Sequence, residues 1–143
     1  MEMFEKFYVL VSKFNQKSKK PKYYGTKDLL YPAEVHLIEI IGAHKRITTT
    51  EIAKVLSITK GAVSQVTNKL IAKDLIVKEV SPIKANEVFI HLTEKGEKVF
   101  LYHREMHRDM SEKVNAELAT LSPESRQALE NIFNFLEESL DEI

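Results

Sequence analysis

The stretch "FLYHREMHRDM", Phe100 to Met110, sets His103 and His107 four residues apart. On a helix, side chains at i and i+4 share a face, so both imidazoles can reach one point. Such a pair suits Zn²⁺, which takes about four N, O or S ligands in a tetrahedron. The chain has no cysteine, so the remaining donors must be His, Asp or Glu. His36, in "YPAEVHLIEII", is the strongest candidate, with Asp28 or water to complete the set. Two other readings use the same stretch. Both histidines fall in line with Phe100, Met110, Val114 and Leu118, where a ring can serve as a hydrogen-bonded core residue. Alternatively, Tyr102, Met106 and Met110 can line an apolar pocket for a small aromatic effector. His44 and His91 read as surface or cap residues.

A second constellation lies in "TKGAVSQVTNKLIAKDL". Helical spacing turns Ala62, Val63, Val66 and Leu70 inward. The outward face then carries Gly61, Ser64, Gln65 and Asn68, with Lys60 and Lys69 at its flanks. Gln and Asn can pair bidentately with adenine in the major groove of DNA, and Lys can contact phosphate or guanine. Thr59 caps the helix, and Gly61 lets the backbone approach a phosphate at its N-terminus.

The elements that position these groups follow in order along the chain. A first helix over 3–18 places Phe4, Phe7, Tyr8, Val11 and Phe14 on one side. A basic, aromatic loop follows, and Pro32 opens a second helix to about His44. Thr48 and Glu51 form a capping box for a short helix that buries Ile52, Val55 and Leu56. The outward-reading helix comes next and ends at Asp74 in a left-handed turn. Two strands, "LIVKEV" and "EVFIHL", flank "SPIKAN", whose Lys84 sits at the hairpin tip beside a minor groove or its phosphates. Thr93 caps a long helix to about Thr120. Ser122-Pro123 opens a last one bearing Leu129, Ile132, Phe133, Leu136 and Leu140. The fold class is mostly α with a small β-hairpin wing: a winged helix-turn-helix, with N- and C-terminal dimerisation helices.

Length and composition agree. A chain of 143 residues, 43% hydrophobic, suits one domain. Residues 32–93 form the winged DNA-binding region; 1–18 and 94–143 form the dimerisation helices. Four glycines and four prolines leave few turn signals, as in a helix-rich chain. The net charge is zero, yet eight Lys/Arg face three acids from His44 to Lys84, while nine acids face two bases from Asp109 onward. That basic middle marks a face for a polyanion. There is no membrane-spanning run and no signal peptide at "MEMFEKFYVL", so the expected location is the cytoplasm. With no Gly-rich phosphate loop, no G-x-S-x-G elbow and no cysteine, an enzyme is not expected. A protein-interaction module is the alternative for a winged helix.

"TTTEIAKVLSITKGAVSQVTNKLIAKDLIVKEV", followed by "FIHLTEKGEKVF", resembles the MarR family of transcriptional regulators, and "LTEKG" is a specific mark of it. The resemblance spans nearly the whole chain. It implies a repressor that binds double-stranded DNA at a pseudo-palindromic operator as a homodimer, with first and last helices interlocked. It also places His103 and His107 on two metal-binding positions of the family's zinc-sensing branch, and His36 on a third. Three departures stand out. Asp74 replaces the usual glycine. Lys84 and Ala85 replace an Asp-Arg pair at the wing tip, so the minor-groove arginine is missing. Tyr102 stands where that branch often has an acid.

Overall fold

The computed structural model describes residues 1–141, with side chains as far as Ser139; the Leu140 side chain lies outside the described residues. The chain divides into two compact units, Met1–Arg104 and Glu105–Ile143.

In the first unit the order is α1 (Met3–Ser18), β1 (Lys22–Tyr23), β2 (Leu29–Leu30), α2 (Pro32–His44), β3 (Ile47–Thr48), α3 (Thr49–Leu56), α4 (Lys60–Ala72), β4 (Ile76–Val80), β5 (Val88–Leu92) and the start of α5 (Glu94–Ala119). β5 is the central strand of an antiparallel sheet ordered β3-β5-β4, with Ile47 opposite Ile90, Ile76 opposite Leu92 and Val80 opposite Val88. The expected wing is therefore present, with mostly helical structure around it. β3 and the β1–β2 pair were not expected, since two residues are too few to show an alternating pattern.

Each predicted start signal makes its bonds. Pro32 is at the first turn of α2. The Thr48 N–H donates to Glu51 Oε2 at 2.8 Å, and the Glu51 N–H donates to Thr48 Oγ1 at 3.2 Å, closing the box. The Thr48 N–H first, and then the Thr48 hydroxyl, which donates to the same Oε2 at 2.8 Å, hold the Glu51 carboxyl below its usual range. Ile38, Ile41, Ile52, Leu70, Leu75 and Ile90 are fully buried and form the centre of the core. Val55, expected in that core, is instead exposed; the eight-residue α3 is too short to bury more than one narrow stripe.

The "LTEKG" segment has a mechanical role. The Thr93 N–H donates to the Leu75 carbonyl at 3.1 Å, and its hydroxyl donates to the Asp74 carbonyl at 2.6 Å while accepting the Gly96 N–H at 3.0 Å. Lys95 Nζ donates to the Lys73 carbonyl at 2.8 Å. A Cβ on Gly96 would run into the Leu75 carbonyl oxygen. The start of α5 is thus bolted to the turn between α4 and β4, where Asp74 adopts φ 58°. That bolt holds the start of α5 beside the turn from which β4 begins.

The second unit holds the rest of α5 and α6 (Pro123–Asp141). Ser122 caps α6 through the Ser125 N–H at 3.2 Å, and Arg126 Nε donates to the Leu118 carbonyl at 3.0 Å. Among the described residues no helix is long and apolar enough to cross a membrane.

Candidate nucleic-acid interface

α3 and α4 meet through a tight turn. Ser57 adopts the left-handed conformation at φ 52°, and its N–H and that of Ile58 satisfy the last carbonyls of α3. Thr59 then caps α4, accepting the Ala62 N–H at 3.1 Å. Because the oxygen is used as an acceptor, the hydroxyl proton remains a donor at the helix N-terminus, where a phosphate would sit. Lys60, Gly61, Ser64, Gln65, Asn68 and Lys69 are all exposed, so the α4 side chains expected to face outward do so together on one helix.

Gly61 is informative because the protein interior does not require it. A Cβ there would meet only Thr59 Oγ1, at 3.8 Å. Glycine within a helix costs about 1 kcal/mol relative to alanine. Its presence here makes room on the outside.

The inward stripe is more polar than expected. Thr67 is completely buried and Val66 only partly so. The Thr67 hydroxyl is satisfied by the Ser64 carbonyl at 3.0 Å. Its place between Val63 and Leu70, at i+4 and i−3, was the available signal.

Two cations of the basic zone are committed elsewhere. Lys73 Nζ lies 2.7 Å from Glu34 Oε1, a carboxylate only 2% exposed, and also donates to the Leu29 carbonyl at 3.1 Å. Glu34 shares the helical stripe of Leu37, Ile38 and Ile41, which is how sequence could have shown its burial. Arg46 stacks 3.7 Å from the Phe89 ring centroid and pairs with Glu79 at 3.7 Å. Lys45, Lys54, Lys60, Lys69, Lys78 and Lys84 remain exposed. Lys84 sits on the wing loop, its N–H held by the Ser81 hydroxyl at 3.2 Å.

The histidines are distributed differently. His36 is exposed on α2, and His103 is half-buried with Nδ1 donating to Glu39 Oε2 at 3.0 Å. Arg104 Nε approaches the same carboxylate at 3.5 Å, and the Tyr24 ring lies 5.8 Å from the His103 ring. His107 is exposed and falls in the second unit. Asp28 pairs with Lys95 at 2.5 Å. Among the described residues no group of three or more His, Cys, Asp or Glu stands close enough to hold a metal ion. His44 Nδ1 meets the Ile40 carbonyl at 2.8 Å, the C-terminal cap role expected of it. A cleft of about 730 Å³ opens where Gly42, Lys45, His91, Phe100 and Arg104 meet; Tyr102 and Met106 do not line it.

Solved structures resemble this chain along nearly its whole length, and a curated relative along about three quarters of it. Residues 29–82 match the MarR family. The HTH-type transcriptional regulator PchR of Bacillus subtilis is 29% identical over 104 residues, covering 73% of this chain and 60% of that protein; the chain thus spans less than two thirds of that relative's length. FabT of Streptococcus pneumoniae, crystallised in complex with DNA, is 28% identical and superposes with a TM-score of 0.74 over 96% of this chain and 99% of FabT. The zinc-responsive MarR family member ZitR of Lactococcus lactis shares the fold, at 21% identity and a TM-score of 0.72 over 96% of each chain. PchR is, by name, a transcriptional regulator.

Proposed function

From a head whose residues 29–82 match the MarR family, we infer that this protein is a DNA-binding transcriptional regulator, a repressor, that grips a pseudo-palindromic operator as a homodimer. The observation that carries this is the outer face of α4: a glycine the interior does not need, between the Thr59 cap and an exposed Ser64–Gln65–Asn68 row. α4 lies in the major groove. Gln65 and Asn68 read base edges, while Thr59, Lys60 and Lys69 hold phosphates and Lys84 holds the backbone beside the wing. Two heads meet successive major grooves about one helical turn apart. The protein acts where the chromosome is, in the cytoplasm.

Titration of duplex DNA across a range of salt tests the reading. Affinity for random duplex should fall steeply with salt as counterions are released. A protein-only module would show no such slope. Gln65→Ala and Asn68→Ala should each cost ~1–3 kcal/mol on the preferred sequence and less on random DNA. Lys60→Ala should weaken both equally. Equal losses on both duplexes for Gln65→Ala would remove it from the reading role.

A metal effector is the second reading, favoured by one observation. Nδ1 of His103 meets the Glu39 carboxylate at 3.0 Å, and an outer carboxylate of this kind orients metal-bound histidines. His36, His103 and His107 would hold Zn²⁺. The described arrangement does not assemble three ligands, so no step of DNA binding is routed through the metal. Equilibrium dialysis against zinc alone decides: uptake by the parent that His103→Ala and His107→Ala lose supports the site, and absence of uptake removes it. A small organic effector is the remaining option, and the cleft beside Phe100 is the place for it.

A further inference from the structure

The tip of the wing presents an apolar side chain where solvent would favour a polar one. Ile83 is 90% exposed. The loop that carries it is held firmly. Ser81 is buried, and its hydroxyl accepts the N–H of Ile83 at 3.3 Å and of Lys84 at 3.2 Å. Its own N–H donates to the Glu87 carbonyl at 2.8 Å, and the Glu87 N–H donates to the Lys84 carbonyl at 2.9 Å. The backbone on both sides of Ile83 is therefore pinned, and its side chain is held away from the core. Pro82 precedes it and fixes the backbone further. Lys84, also exposed, puts a cation immediately beside it.

A rigid apolar projection next to a cation matches the chemistry of proteins that deform DNA from the minor groove. The apolar group slips between base pairs while the cation neutralises a phosphate. We propose that Ile83 is a wedge that enters the minor groove flanking the sequence read by α4 and partly unstacks one base step. It thereby gives the protein a preference for flexible pyrimidine–purine steps at positions no polar side chain contacts. The proposal rests on the DNA-binding reading above. It adds to that reading a specificity-determining residue that acts through shape.

The experiment uses the full chain and duplexes of ~30 base pairs that the parent protein itself selects from a random pool. 2-Aminopurine is placed at each flanking step, where unstacking raises its fluorescence. The parent should raise fluorescence at one flanking step per half-site. Ile83→Ser should abolish that rise and weaken binding about tenfold, with an unchanged salt slope. Ile83→Leu should restore both. Lys84→Ala should keep the rise and lower the salt slope by about one. Thermal melts should be alike, since Ile83 touches no core residue. If the parent binds duplex with a steep salt slope but Ile83→Ser matches it in affinity and fluorescence, the wedge is overturned while the DNA reading stands. If Ile83→Ser changes only the sedimenting mass, the tip contacts a second copy of the chain, and the wedge is again overturned. A parent with no salt-dependent duplex binding overturns both.

Discussion

The winged head and the terminal helices are built from similar proportions of apolar residues, yet they treat them in opposite ways. In the head, Ile38, Ile52, Leu70 and Ile90 are completely hidden from solvent. In α1 no residue is buried, and Phe4 is 70% exposed; in α6 Ile132 and Phe133 are each 56% exposed. The head is complete within one chain. The terminal helices carry amphipathic stripes too large to be left in water, since contiguous apolar patches of that kind mark interaction surfaces. Under the proposed function the difference separates two jobs: one part closes on itself and leaves its outer face polar, and the other keeps an apolar face for a second copy of the chain.

Disturbing the head's closure should have the largest effect. Gly96→Ala forces a methyl group into the Leu75 carbonyl oxygen, which belongs to the backbone and has no rotamer to escape into. A loss of about 3 kcal/mol is expected in denaturant melts. DNA affinity should fall with it, because Leu75 leads directly into the first strand of the wing. A near-neutral result would mean that the start of α5 is looser than its four hydrogen bonds imply.

The opposite contrast comes from Phe133→Glu. A charge placed on the exposed stripe of α6 should split the proposed homodimer, weakening association by about 2 kcal/mol or more, while leaving the head's packing intact. Sedimentation at micromolar concentration reads it. A parent that already sediments as a single chain would refute the dimer.

Thr48→Ala removes the cap of α3 and should cost about 1 kcal/mol. The same box predicts a pH dependence. The Glu51 carboxyl is depressed in the folded chain, chiefly by the Thr48 N–H and then by its hydroxyl. Its contribution is therefore present above the unfolded value near 4.5 and lost as pH falls through the lower folded value. The parent's stability should drop more steeply than that of Thr48→Ala over this acid range, and identical acid titrations would contradict the assignment.

The smallest effect, and the one that best separates folding from function, is Gly61→Ala. Since a Cβ there meets only Thr59 Oγ1 at 3.8 Å, stability should rise by up to about 1 kcal/mol. DNA binding should weaken. A variant both more stable and equally tight on DNA would show that Gly61 makes no room for phosphate.

Much of this is legible in the sequence. Thr48, Thr59, Thr93 and Ser122 each announced a helix start, because a side-chain oxygen there satisfies N–H groups that the helix leaves unpaired. Asp74 announced a left-handed stop, and the exposed row on α4 followed from the spacing of Val63 and Leu70. Other features were hidden. β3 is two residues long, so its pairing with β5 leaves no periodic trace. By sequence Lys73 is one more surface cation; only the fold brings it against the buried Glu34, 39 positions away. The role of Gly96 depends on a carbonyl that only the folded turn brings near.

What the sequence determined by itself is therefore local: caps, stops, the stripe of each helix and the residues on its other side. These depend on neighbours within four positions, and their geometry is fixed by the helix alone. What tertiary structure decided is which charges were free and which apolar stripes were covered. Lys73 and Arg46 are drawn to partners on other elements, while Lys60, Lys69 and Lys84 stay in solvent. Ile38 is covered by its core, while Phe133, in the second unit, stays 56% exposed. Both outcomes depend on groups far apart in the chain that compete for the same limited interior, and periodicity carries no record of that competition.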